Sequence, residues 1–237
     1  AFAAPAEGQS RKLNGPLAPL TDAGGAARVF NFSFSPGGQR VVYRGDHDLS
    51  GTIGLYSAPR DGSAPAVLLS AGAVTDFKIS PAGACVAYRS SPGLYLVPIA
   101  GSLAPLQIAS SQNIPYEFTA DGTHLVYSSG GLSVVPVTGG APVSLGEQAY
   151  KCALSPDGTL VVFWVRRIED GGLGDIITDE LWRVPLDGSA APVRCNVIGA
   201  GQFEGEIREF QISADGQRVV YSSETDSTDP DLYSVRL

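Results

Sequence analysis

The chain reads as an all-β protein, a β-propeller of four-stranded blades. Three observations support this. A short turn segment occurs five times, as Ser35-Pro36-Gly37-Gly38, Ser80-Pro81-Ala82-Gly83, Thr119-Ala120-Asp121-Gly122, Ser155-Pro156-Asp157-Gly158 and Ser213-Ala214-Asp215-Gly216. At one fixed offset beyond each turn stands an aromatic: Tyr43, Tyr88, Tyr127, Phe163 or Tyr221. Further on, after a connection of variable length, comes Leu55, Leu94, Leu132, Leu181 or Leu232. All but the last of these leucines open a segment that closes on a Pro/Gly pair of constant spacing: Pro59/Gly62, Pro98/Gly101, Pro136/Gly139 and Pro185/Gly188. Self-similarity held at several offsets at once is the signature of a repeat architecture.

Each element of the repeat has a physical reason. Strand a is a short apolar run, as in residues 29–34, and the residue before every turn is apolar: Phe34, Ile79, Phe118, Leu154 and Ile212. In the turn, Pro presets φ and Gly supplies the conformation that closes it. Strand b is β-branched and aromatic, as in Arg40-Val41-Val42-Tyr43 and in Leu160-Val161-Val162-Phe163, which suits a pleated, packed surface. Strand c carries Leu55-Tyr56, Leu94-Tyr95, Leu181-Trp182 and Leu232-Tyr233, and strand d follows the Pro/Gly turn, at residues 66–69 or 106–108. Strands a and b are apolar on both faces, so each sheet needs cover on both sides. Sheets stacked around an axis provide it. The recurring aromatics are then packing between blades, each worth about 1.5–3 kcal/mol of burial. The longer step between the fourth and fifth turns reads as a long b–c loop, residues 164–180, and a long d–a connection, residues 196–206.

Composition narrows the function. The 237 residues hold 24 acids against 16 bases, a formal net charge of −8. Phosphate neutralisation needs clustered Lys and Arg, so no nucleic-acid partner is expected. No apolar run reaches the length of a membrane span, so no insertion is expected. Cys85, Cys152 and Cys195 are scattered and odd in number. They fit neither a zinc pattern nor a disulfide framework and read as small core residues. His47 and His124 are the two histidines, too few for a histidine-rich metal site. No metal and no cofactor is expected. The absence of Met and the Ala1-Phe2-Ala3 start point to a processed product or an excised piece.

The ring is expected to hold five blades in a single domain, 1–237. The last repeat stops after strand c, and Pro5, Gly8 and residues 9–13 repeat the approach to a strand d. The N-terminal strand would then close the ring and leave no open edge at the join. The alternative is six blades, or part of a larger propeller.

The Ser-Pro-Asp-Gly turn, the aromatic beyond it and the Leu-Tyr strand resemble the TolB-type β-propeller repeat, a relative by architecture of the WD-repeat propellers. Two turns depart from that pattern by lacking Asp (Gly37, Ala82) and two by lacking Pro (Ala120, Ala214). The resemblance implies a protein or peptide partner received at the channel mouth. It also implies a bacterial cell-envelope setting, periplasmic or extracellular.

In such a propeller the b–c and d–a loops share one face, which here has most of the charge and length variation. Function concentrates on loops held by a rigid scaffold. The expected ligand-binding residues on this face are Arg44, His47, Asp76, Arg89, Lys151, Arg166, Arg167 and Arg208. Arg44 and Arg89 stand at equivalent positions after Tyr43 and Tyr88, where two guanidinium groups suit a bidentate clamp on a carboxylate. Pairing with Asp46 or Asp48 is the simpler reading of the same arginines. Asp175, Asp179 and Glu180 in one loop, and Asp226, Asp229 and Asp231 in another, are oxygen-rich stretches, but neither has the spacing of a calcium loop.

Catalytic patterns are missing. There is no Gly-x-Ser-x-Gly elbow, and neither histidine stands beside a plausible nucleophile. The function expected is therefore non-catalytic: a monomeric binding propeller that takes a peptide, protein segment or small ligand on the loop face. The alternatives are a substrate-gating propeller, a hydrolase using loop carboxylates, or a structural piece of a longer repeat array.

Overall fold

The turn motif dictates its own geometry. In the computed structural model, which describes residues 12–13, 28–47, 52–70, 72–170, 175–196, 206–224 and 231–237, all five turns close alike. The Gly that ends each turn donates to the carbonyl of the residue that opens it, from Gly38 to Ser35 at 2.7 Å through to Gly216 to Ser213 at 2.9 Å. These glycines have φ between +63° and +71°, the left-handed region that L side chains avoid. The opening hydroxyl accepts from the first N–H of the next strand, as Ser155 does from Leu160 at 2.9 Å and Ser35 from Arg40 at 3.1 Å. That bond survives in the two turns without Asp, which is why they remain viable. The Pro/Gly turns behave the same way, with Gly62 donating to Pro59 at 3.0 Å and Gly188 to Pro185 at 3.1 Å.

The described residues fall into two compact units, within Ala1–Gln112 and Asn113–Leu237. The first unit holds two antiparallel four-stranded sheets. The first sheet is β1 (Arg28–Phe34), β2 (Arg40–Asp46), β3 (Gly54–Pro59) and β4 (Val67–Ser70). The second is β5 (Val74–Ile79), β6 (Cys85–Ser90), β7 (Gly93–Pro98) and β8 (Leu106–Ala109). In both, neighbours in sequence are neighbours in the sheet.

The second unit continues the pattern. Its third sheet is β9 (Tyr116–Phe118), β10 (His124–Ser128), β11 (Leu132–Pro136) and β12 (Val143–Gly146). The fourth is β13 (Lys151–Leu154), β14 (Leu160–Asp170), β15 (Asp175–Pro185) and β16 (Val193–Arg194). The fifth is three-stranded among the described residues: β17 (Glu206–Ile212), β18 (Arg218–Glu224) and β19 (Asp231–Arg236). The closing strand expected at residues 9–13 lies outside the described residues, Lys12 and Leu13 excepted.

Register sorts the side chains into two faces per sheet. One face, here the front, carries the repeat aromatic: Phe32 pairs with Tyr43 and Tyr43 with Tyr56, while Phe34 pairs with Val41 and Val41 with Ala58. The back carries Val42 and the repeat Leu55. In the first unit the back of the first sheet packs on the front of the second, with Val42 and Leu55 against Val86, Tyr88, Val97, Phe77 and Ile79. In the second unit Val126 and Leu132 meet Val161, Phe163 and Leu154, and Val162 and Leu181 meet Phe210, Val219 and Tyr221. Tyr88, Phe163 and Tyr221 are thus inter-sheet packing, as expected, whereas Tyr43 packs with Val41 and Ala58 of its own sheet. Tyr43, Tyr88 and Tyr221 are stacked on the tyrosine of strand c, with ring centroids 5.3–5.4 Å apart.

Two expectations differ from what is found. Residues 164–180 are mostly not a loop: β14 and β15 run on as one hairpin whose register extends from Leu160↔Pro185 to Asp170↔Asp175. The alternation of Val165, Arg166 and Ile168 against Ile177 and Asp179 keeps the ladder going. Strand a is not covered on both sides everywhere, since every residue of β1 is exposed. Of the cysteines, Cys85 is buried, while Cys152 and Cys195 are half-buried, and all three are free.

Candidate functional site

The most developed cluster of charge and aromatic surface lies in the second unit, where β14 leaves the fourth sheet and β13 and β17 begin. The β14–β15 hairpin sets Arg166 opposite Asp179 and Arg167 opposite Thr178. Asp179 is fully buried. A buried carboxylate is tolerated only when paired and hydrogen-bonded, and here it is both. Arg166 donates through Nε and Nη2 at 2.9 Å each, and the Ile207 amide of the fifth sheet donates at 2.7 Å. The bond to Asp179 is the main reason the Arg166 guanidinium is raised above its ordinary pKa. The oxygens of Asp179 are therefore spent on a brace between sheets.

Glu180 organises a second network. It accepts from Arg167 Nε at 2.9 Å and from the Trp182 indole at 3.1 Å, and it pairs with Arg194 at 3.1 Å. Asn196 extends the short β16: its carbonyl oxygen accepts from the Leu181 amide at 2.6 Å and its amide donates to the Asp179 backbone at 2.9 Å.

Above this frame lies a surface that is only partly spoken for. Arg166 stacks over the rings of Tyr150, at 4.9 Å, and Trp164, at 5.0 Å, and the Nη2 that bonds Asp179 also lies 3.6 Å from Glu206. Tyr150 is 60% exposed. The exposed Lys151 ammonium lies 5.4 Å from the Phe210 ring centroid, and no carboxylate stands within ion-pair distance among the described residues. Arg208 pairs with Glu224 and remains half-exposed. Arg166, Lys151 and Arg208 thus share one edge with an exposed tyrosine.

The other expected residues fall in the first unit. Arg44 donates from Nε to the Val74 carbonyl at 2.9 Å, tying the first sheet to the entry of the second. Ser128 does the equivalent work in the second unit, accepting from the Ala149 amide at 2.7 Å. His47 is stacked on Tyr56, with centroids 3.9 Å apart, and lies 5.7 Å from Tyr43. Asp76 and Arg89 face each other in the register of β5 and β6. Arg167 is held by Glu180 and Glu147. Tyr150, Trp164 and Phe210 were not expected at the site. Their signal was available, because each lies within two residues of an expected cation on the same strand or its entry. No group of three or more His, Cys, Asp and Glu that would hold a metal is present among the described residues. Asp48 and the acidic residues Asp226 and Asp229 lie outside them.

No protein-family model and no curated protein matches the sequence. Solved structures do. An oligogalacturonate lyase from Vibrio parahaemolyticus is 18% identical with a TM-score of 0.56, over 98% of this chain and 72% of that one. An oligogalacturonate lyase in complex with manganese is 18% identical with a TM-score of 0.54, over 85% of this chain and 60% of that one. A putative TolB from Agrobacterium tumefaciens is 20% identical with a TM-score of 0.47, over 87% of this chain and 76% of that one. At such identities the likeness is one of fold. The antiparallel sheets and their repeat are those of a β-propeller. No helix among the described residues is long and apolar enough to cross a membrane.

Proposed function

We propose that this chain is a binding propeller of TolB type that takes an anionic peptide or protein segment on the loop edge of its fourth and fifth sheets. The observation that carries this is the Lys151 ammonium, exposed and with no carboxylate partner among the described residues, beside the exposed Tyr150 ring and the braced Arg166. Arg166 is held in place by Asp179, so it meets a ligand without first losing side-chain freedom, which lowers the cost of binding. A planar guanidinium on an aromatic face suits a carboxylate, with the tyrosine ring packing beside it. The setting that goes with this reading is the bacterial cell envelope.

The test is calorimetric titration with a short acidic peptide and its amidated, uncharged counterpart. The acidic peptide binds and the amidated one does not. Lys151→Ala weakens binding about ten- to a hundredfold, the order of one charge-assisted hydrogen bond. Equal binding of both peptides would sink the reading.

One observation favours a second reading, an enzyme acting on an acidic saccharide: the likeness to a solved oligogalacturonate lyase, which covers 98% of this chain. Such a ligand carries a carboxylate on each sugar and meets the same cations. Incubation with oligogalacturonate separates the two, because a lyase shortens the chain and a binder leaves its length unchanged.

A further inference from the structure

The joint between the third and fourth sheets is open at the end where their tight turns lie. A cavity of about 650 Å³ stands there, wholly within the second unit, and its size is that of a small-molecule site. Val134, Pro136 and Val143 form its wall on the third sheet. The repeat explains the space. At the same place on the back of the first sheet lies Arg40, whose Nε donates to the Ser57 hydroxyl at 2.8 Å and whose Nη2 donates to the Ser57 carbonyl at 3.3 Å. Register makes His124 the counterpart of Arg40 and Val134 the counterpart of Ser57. Arg40↔Pro59 matches His124↔Pro136, and Val42↔Ser57 matches Val126↔Val134. The two joints are otherwise built alike. A Cβ at Gly101 would lie 2.5 Å from Val67, and one at Gly188 would lie 3.1 Å from Val143, so in both the next sheet's turn closes on the same valine. The third sheet lacks the long cation and the serine that holds it.

Carboxylates appear where the built-in cation is absent. Gly37, Ala82 and Ala100 of the first two sheets are matched in the third and fourth by Asp121, Asp157 and Asp187. Asp187 lines the cavity, and Asp121 and Asp157 stand in the turns that lead into His124 and Thr159, which also line it. All three are exposed. Hydrogen bonds from turn hydroxyls hold them below the usual carboxylate range, so they are charged at neutral pH. No lysine or arginine among the described residues lines the cavity. The same bonds leave acceptors there. Thr159 gives its hydroxyl proton to Asp157 at 2.9 Å, and Ser189 gives its own to Asp187. Thr123 gives its proton to Asp121 at 2.8 Å, so its oxygen takes the proton of His124 Nδ1 at 2.8 Å. The tautomer assigned by these bonds leaves His124 Nε2 an acceptor. Negative charge, accepting atoms and an apolar wall suit a ligand that is cationic, donates and carries a hydrocarbon body.

We propose that this cavity is a second binding site of the chain, for a small organic cation: a guanidinium or ammonium group on an apolar body. The first sheet shows the arrangement with Arg40 as an occupant supplied by the chain itself. In the later joint the body of the ligand lies along Val134, Pro136 and Val143, and its head meets Asp187 and the acceptors of His124 and Thr159. A guanidinium presents donors in a planar fork and no acceptor, and its weak hydration lowers the cost of a half-buried place. The charge preference is the reverse of that at the loop edge, so the two sites do not compete for one ligand.

The test is a ligand-observed NMR titration with phenethylguanidine, beside its neutral isostere phenethylurea and the anion hydrocinnamate. Phenethylguanidine is expected to bind with a Kd of about 0.1–1 mM, ordinary for a ligand of its size. The urea and the anion bind about tenfold more weakly or not at all. Asp187→Asn keeps the turn, because its amide oxygen still accepts from the Ser189 amide. It weakens phenethylguanidine about three- to fivefold, the worth of one exposed charge pair, and leaves the acidic-peptide titration of the loop edge unchanged. Two variants close the cavity. His124→Arg combined with Val134→Ser installs the first sheet's own cation, and binding is lost while the melting temperature holds or rises. Ala141→Trp plugs the mouth from an exposed lining position, and binding is lost with circular dichroism unchanged. Equal binding of the guanidine and the urea overturns the proposal. So does a guanidine that does not bind, or binding that survives both closing variants. An acetyl-Gly-Arg-Gly-amide peptide that binds more tightly than phenethylguanidine overturns the assignment to a small molecule.

Discussion

In four of the five turns the opening serine or threonine, Ser35, Ser80, Thr119 or Ser155, does its work from a buried position. Ser155 accepts from the Leu160 amide and donates to Asp157 at 2.5 Å, so one hydroxyl serves both the strand and the turn. Ser155→Ala orphans the amide, and the expected loss is about 1–3 kcal/mol, read as a lower urea midpoint. The turn aspartates titrate accordingly. Asp121 is lowered from 3.8 to about 2, chiefly by the Thr119 hydroxyl and then by the Thr123 amide, and Asp157 and Asp215 are lowered for the same kind of reason. A carboxylate with a depressed pKa stabilises the fold above its unfolded value and loses that contribution as pH falls through its folded one. The urea midpoint is therefore expected to fall between about pH 4 and pH 2, and to fall less steeply in Asp121→Asn. Much of this was legible at residue level, because a Ser, Asp and Gly at fixed spacing have few other uses. The partners of Arg44 were not. Its bond to the Val74 carbonyl joins residues of different sheets, and no local pattern points to it.

Among the elements, the β14–β15 hairpin shows how far sequence reading goes. The longer step between the fourth and fifth turns reads as a b–c loop over residues 164–180, with the charged run Arg166-Arg167 inside it. In the structure those arginines are paid off by facing carboxylates, Asp179 across the hairpin and Glu180 beside it, so the ladder continues. Asp179→Ala leaves Arg166 without its partner and frees the Ile207 amide. The expected destabilisation is about 3–5 kcal/mol, as for other broken buried pairs, measured by chemical unfolding. Glycines give a graded comparison. At Gly158 a Cβ meets nothing within 4 Å but φ is +71°, so Gly158→Ala costs only backbone strain, about 1–2 kcal/mol. At Gly93 a Cβ would lie 1.9 Å from the Ala109 carbonyl oxygen, so the strands β7 and β8 must part. Gly93→Ala is expected to destabilise more than Gly158→Ala in the same assay.

For the whole molecule, the loop edge of the second unit is a surface that responds to salt. It recruits an anion through the Lys151 ammonium, and screening weakens exposed charge pairs. Raising salt is therefore expected to weaken peptide binding in calorimetry, while the brace of Arg166 on the buried Asp179 is screened much less.

The sequence by itself determined the sheets, their order of strands and the residues that pack between them. Each is written in local spacing, a turn, an aromatic and a leucine repeated until chance is no explanation. Tertiary structure alone decided which charged residues are braces and which are available, since Arg166, Arg167 and Lys151 look alike along the chain. They part company because the hairpin turns Asp179 and Glu180 toward the two arginines, while among the described residues Lys151 meets the ring of Phe210 and no carboxylate.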